Sequence, residues 1–233
     1  MAQPIISWYD ATDSEITGVY DFQTIDAGTS SVNHEFTIFN NRNGSEDVSK
    51  MEDVEITTVD MNGGDGDQAG NIVEAVKDKW FWVKVDTLNE VSFTQIGGST
   101  AKKALGTLGS TKNPNAVSAP TWAVSTAYLV GDYVKPTSGT TYIYKCVTAG
   151  TSGGSEPTWP TIDGDPVTDG SVEWETILVQ KQPQAQEILG LANDGTETNS
   201  GGNFAKVSMY ADIPLSASAG RNNFKIRVSY RYV

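Results

Sequence analysis

Phe224-Lys225-Ile226-Arg227-Val228-Ser229-Tyr230-Arg231-Tyr232 alternates apolar and polar residues almost without a break. Phe224, Ile226, Val228, Tyr230 and Tyr232 fall on one side of an extended chain, and Lys225, Arg227 and Arg231 on the other. Successive side chains of a strand point to opposite faces, so this period of two predicts a half-buried β-strand. The run before it, Phe204-Ala205-Lys206-Val207-Ser208-Met209-Tyr210, reads the same way. Between the two, Ile213 to Gly220 opens with Pro214 and closes on glycine, which suits a crossover at the end of a sandwich. Upstream, His34 to Phe39 and Val54 to Val59 repeat the alternation, while Trp80 to Val85 is apolar on both faces at first and predicts a central strand. Helical spacing occurs only in Asn71 to Lys79, through Ile72, Val73 and Val76, and that stretch is short. The chain is therefore expected to be all-β, with about seven longer strands.

The ladder stops near Thr94 and resumes at Phe204. From residue 99 to 117 small residues and three lysines, Lys102, Lys103 and Lys112, replace apolar patterning, and the glutamine-rich stretch around Pro183 marks a matching exit. This predicts a discontinuous β-sandwich from residues 1–98 and 183–233, a linker over 99–117, a small β-rich domain over 118–180, and an exit linker at 181–183. A loop tip tolerates such an insertion because closure entropy grows slowly with loop length.

Bulk properties narrow the function classes. With 16 basic against 29 acidic residues, the net charge of −13 argues against nucleic acid, whose phosphates require clustered lysine and arginine. The single cysteine, Cys146, excludes an internal disulfide and reads as a small buried hydrophobe in a strand. No secretory leader pattern follows Met1, and no apolar run approaches the about eighteen residues of a membrane span. Synthesis in a cytoplasm with release by lysis is the expectation, without membrane insertion. His34 is the only histidine and lies at a strand start, no G-x-S-x-G strand-to-helix elbow accompanies it and no second histidine is present for a zinc site, so an enzyme is not expected. No cofactor is expected either. Asp60-Met61-Asn62-Gly63-Gly64-Asp65-Gly66-Asp67 could offer calcium the oxygens of Asp60, Asn62, Asp65 and Asp67, but it departs from the EF-hand pattern and reads equally as a solvated hairpin tip.

The segment from Pro120 to Gln180 holds Trp122, Trp159 and Trp174 with Tyr128, Tyr133, Tyr142 and Tyr144, among turn residues. Aromatics at this density either fill a core too small for aliphatics or stack on flat ligands such as sugar rings. Trp122, Tyr128, Tyr144 and Trp174 are assigned to a miniature core. Trp159, on a loop between Pro157 and Pro160, and Tyr133 and Tyr142, at strand ends, are the candidates for an exposed carbohydrate-stacking face.

Trp122, Tyr128, Gly131, Asp132 and Val134, followed by Tyr142 and Tyr144, resemble the opening of the small chitin- and cellulose-binding modules. The continuation departs from them: Cys146-Val147-Thr148-Ala149 stands where those modules carry an aromatic-rich strand. The longer pattern, with Gly150-Thr151-Ser152-Gly153, Glu156-Pro157, Trp159-Pro160 and Asp169-Gly170 before Val172 and Trp174, looks like a version found in bacteriophage virion proteins. The flanking residues Ile6 to Asp10, Asp26 to Thr29, Phe39 to Arg42 and Ala219 to Tyr230 resemble immunoglobulin-like sandwich proteins of tailed-phage particles. The resemblance implies a structural protein on the virion surface, with capsid decoration favoured over a tail or baseplate accessory used in adsorption. Its implied partners are other capsid or tail proteins, further copies of itself in a homo-oligomer, and a cell-surface glycan. A reading of another class is a glycan-binding accessory domain of a secreted hydrolase system.

Overall fold

Residues 2–232 are described in the computed structural model of the chain, and their regular structure is almost entirely β-strand. In chain order the strands are β1 (Ile6–Asp10), β2 (His34–Asn40), β3 (Met51–Asp60), β4 (Phe81–Val85), β5 (Thr94–Ile96), β6 (Lys103–Ala104), β7 (Thr111–Lys112) and β8 (Ala127–Tyr128). They continue as β9 (Tyr133–Val134), β10 (Tyr142–Thr148), β11 (Gly150–Thr151), β12 (Pro166–Asp169), β13 (Val172–Leu178), β14 (Gln180–Lys181), β15 (Phe204–Ala211) and β16 (Phe224–Tyr232). The α-helices, α1 (Glu74–Lys77) and α2 (Asn115–Ser118), are single turns. The helix expected over 71–79 shrinks to α1 because no side chain caps its start and Lys79, at φ 55°, turns the chain into Trp80.

The chain divides into two units, Met1–Ser110 with Gln182–Val233, and Thr111–Lys181. In the first, a five-stranded sheet of order β1-β2-β15-β4-β5 and a three-stranded sheet of order β16-β3-β6 contribute to one core. Phe36, Ile38, Val83, Val85, Val207 and Met209 enter it from the larger sheet, and Met51, Val54 and Ile56 from the smaller. β4 lies between β15 and β5, as its two apolar faces predict: Phe81, Val83 and Val85 enter the core while Trp82 lies against Tyr210 on the other face, ring centroids 6.3 Å apart. The connection from Ile213 to Gly220 carries the chain from the five-stranded to the three-stranded sheet. In β16, Phe224, Ile226, Val228 and Tyr230 pack on the core, but Tyr232 does not; a register shift after Ser229 turns it out, 44 % exposed.

The linker expected over 99–117 is a correction. β6 pairs with β3 through Glu55–Ala104 and Ile56–Lys103, and Leu105 is completely buried in the core. Gly109 is small because the backbone of Gly201 lies against it; a Cβ there would sit 2.5 Å from the Gly201 carbonyl oxygen. Small residues in this stretch serve close backbone approach, not flexibility. The exit at 181–183 is likewise ordered at its start, since β14 pairs with β7 through Lys181–Thr111 and Gln180–Lys112.

The second unit has a four-stranded sheet of order β12-β13-β10-β9 and the two-stranded pairs β11-β8 and β14-β7. Tyr128, Val134, Tyr144, Cys146, Val172 and Trp174 form its core, with Trp122, Tyr142, Trp159 and Val167 packed against it. Three tryptophans and three tyrosines thus do the work of aliphatics in a domain too small to bury many side chains.

Candidate ligand-binding site

The site is built from the middle of β10 outward. Tyr142, Tyr144 and Cys146 alternate onto one face of β10, and β13 lies antiparallel beside it, with Cys146 opposite Trp174. Trp174 is completely buried, and Tyr128 meets it edge-on with centroids 4.9 Å apart. The indole Nε1 groups of Trp122 and Trp174 both donate to Asp169 Oδ2, at 2.7 and 3.2 Å, while Asp169 Oδ1 accepts from the Gly153 backbone N–H at 2.7 Å. Asp169 is only 3 % exposed, so its carboxylate is the polar centre of an aromatic core and leaves no buried donor unpaired.

Spacing in the Gly150-Thr151-Ser152-Gly153 and Asp169-Gly170 motifs follows from this centre. A Cβ on Gly150 would lie 2.4 Å from the Ser171 carbonyl oxygen, and one on Gly170, at φ 63°, 2.4 Å from that of Thr151. The two segments touch backbone to backbone, which only glycine permits. Ser152 Oγ completes the junction by accepting from Thr126 N–H and donating to the Ala123 carbonyl.

Trp159 approaches the core from the loop before β12. Its ring stacks on Tyr144 at 4.0 Å and stands edge-on to Trp174 at 6.2 Å. Its Nε1 donates to Glu156 Oε1 at 2.7 Å, and Glu156 also accepts from the backbone N–H and the hydroxyl of Thr137. Burial opposes the charge on Glu156, yet the hydrogen bonds from Thr137 and Trp159 outweigh it and hold the carboxyl below its ordinary range. Tyr144 donates to the Pro160 carbonyl at 2.8 Å, and burial, with nearby Tyr142, pushes its phenol up to about 12.

Of the three stacking candidates, Tyr142 and Trp159 are half-buried and pack against the same cluster. Tyr133 does not join them. In β9 it pairs with Lys145 while its neighbour Val134 pairs with Tyr144 and enters the core, so Tyr133 lies on the opposite face. Of the three candidates, Tyr142 and Trp159 are therefore the two on the side of this cluster, and Glu156 adjoins Trp159. Trp122, Tyr128, Tyr144 and Trp174, expected as core, all lie in or against the core.

The remaining candidates are tied into structure. Asp60, 2 % exposed, accepts through Oδ1 from the backbone N–H groups of Asn62 and Gly64, and the Gly64 bond leads those that lower its pKa. Asp65 accepts from the backbone and hydroxyl of Ser99. Among the described residues no group of three histidine, cysteine or acidic side chains is placed to hold a metal. His34 Nδ1 bonds the Tyr20 hydroxyl at 2.8 Å, and burial pushes its pKa down. Cys146 is buried, its thiol pKa raised first by burial and then by Asp132.

Sequence reasoning missed Asp169 and Glu156, the two carboxylates that receive indole N–H groups. A signal existed for Asp169: three tryptophans in a small domain need acceptors, and its neighbour Gly170 marks a tight turn. Comparison of the chain with family models, with curated proteins and with solved structures found no match.

Proposed function

We propose that the chain is a non-enzymatic structural protein of a tailed-phage particle surface, in capsid decoration or an equivalent auxiliary position. In this reading an Ig-like sandwich built from both ends of the chain attaches to the particle, and residues 111–181 are a carbohydrate-binding-like module carried between β6 and β15. The observation that carries the binding role is the half-exposed pair Tyr142 and Trp159 beside Glu156, on a unit with a core of its own. Sugar rings present a C–H face to an aromatic plane, and one acceptor beside the ring orients a hydroxyl. A non-catalytic role is supported by the state of the usual nucleophile and base: the Cys146 thiol is buried, and the Tyr20 hydroxyl engages His34.

Pull-down of the full chain on chitin, cellulose and peptidoglycan tests the glycan part. Tyr142→Ala and Glu156→Gln are expected to lower retention, and Tyr133→Ala, on the opposite face, to leave it unchanged. Retention that is lost only with Tyr133→Ala would reverse the assignment of the face, and no retention on any polymer would remove the glycan role. Copurification with intact particles tests the structural part separately.

A further inference from the structure

The strand with the clearest alternation in the sequence is also the one with a free edge. β16 is the outer strand of the three-stranded sheet, with β3 on one side and, among the described residues, no strand on the other. Gly98 N–H donates to the Thr58 carbonyl at 2.8 Å, so Thr58 turns its backbone groups away from β16 while Thr57 and Val59 turn theirs toward it. Arg227 and Lys225 are their register partners and spend their backbone groups on β3. Ile226 and Val228 therefore present theirs outward. No residue of β16 is fully buried, whereas six of the eight in β15 are.

Beside this edge the core is flanked by the connection from Ile213 to Asn223 and by a strap over residues 16–27. Among the described residues, its stretch from Thr17 to Ile25 makes no backbone-to-backbone hydrogen bond. Tyr20, Phe22 and Ile25 hold it by packing on the core, and Phe22 lies 6.0 Å from Phe224. Between the strap, Trp8 of β1 and Phe224 and Ile226 of β16 lies an open groove of ≈ 1160 Å³, lined by apolar side chains and, at its rim, by polar ones that include Asp21, Asp26 and Lys225. The groove leaves the outer edge of β16, and the apolar side chains of Phe224 and Ile226 beside it, open to an added segment.

Charge identifies what would fill it. In a chain of net charge −13, residues 213–232 contain Arg221, Lys225, Arg227 and Arg231 and no acid. Arg227 Nε is buried without a hydrogen-bond partner. Arg231 is already paired with Glu52 and Asp53, but pairing β16 with its own copy would still bring the Lys225 and Arg227 cations of two copies together, and like charges on facing strands repel.

We propose that the free edge of β16 receives an extended acidic segment of a partner protein as an added strand. Its backbone would pair with Ile226 and Val228, alternate apolar side chains would lie in the groove against Phe224 and Ile226, and carboxylates would lie beside Lys225 and Arg227. This deepens the proposed assembly role and rests on it for the partner being another particle subunit; the strand addition itself is tested on the isolated chain. Particle association without peptide binding would sink this inference alone, and peptide binding without particle association would sink only the virion reading.

The probes are two labelled ten-residue peptides, one alternating glutamate with valine and phenylalanine, the other with lysine in place of glutamate. Fluorescence anisotropy at low salt is expected to favour the glutamate peptide about tenfold. Lys225→Glu combined with Arg227→Glu should reverse the preference, and both changes fall on exposed or half-exposed side chains. Val228→Pro deletes an outward N–H and should weaken both peptides about tenfold. Circular dichroism confirms that each variant is folded. Absence of binding by either peptide, or equal preference in the charge-reversed variant, overturns the proposal. So does self-association of the chain that the glutamate peptide fails to displace, which would assign the edge to a second copy.

Discussion

Asp169 shows how one side chain decides the character of a small domain. Its carboxylate takes two indole N–H groups and a backbone N–H in a site almost closed to water. Asp169→Asn keeps the shape but sets an amide donor against one of those donors. Leaving a buried donor unpaired costs about 1–3 kcal/mol, so the 111–181 unit is expected to lose about 3 kcal/mol in urea unfolding followed by tryptophan fluorescence. Tyr144 adds a pH dependence. Its folded pKa is raised from 10.0 to about 12, so the stability it contributes is fully present below pH 10 and is lost as pH rises toward 12. Urea midpoints measured across that window should fall, and Tyr144→Phe, which cannot ionise, should flatten the fall.

At the scale of elements, β6 and the residues up to Ser110 belong to the first unit. Leu105 is completely buried among strands of both sheets, so Leu105→Ala is expected to cost about 2–5 kcal/mol, against almost nothing if residues 99–117 were a linker. Thermal unfolding distinguishes the two outcomes. The long strands were legible because a two-residue period is a local property that burial of one face imposes on any strand. The linker expectation failed because glycine and small residues read the same whether they free a backbone or let two backbones touch, and only the position of Gly201 separates these at Gly109. The stacking face failed in part for a similar reason. Tyr133 and Tyr142 look alike in the sequence, and it is the β9–β10 register that sends them to opposite faces.

For the whole molecule, two units with separate cores are expected to unfold as two transitions in calorimetry. Asp169→Asn should lower only the transition of residues 111–181, and Leu105→Ala only the other. A single transition shifted by both substitutions would show that the units unfold as one body.

The amino-acid sequence alone determined that this is an all-β chain, where its long strands run, that its middle segment is dense in aromatics and that its surface is strongly acidic. Each of these is a property of composition or of neighbours a few residues apart. The tertiary structure decided the rest. It joined Trp122 to Asp169 across 47 positions, set Gly109 against Gly201, and placed Tyr133 away from Trp159. It also left β16, the most regular strand to read, at an edge instead of an interior. Alternation reports that one face of a strand is covered, whereas pairing at its two edges depends on which distant segments arrive beside it.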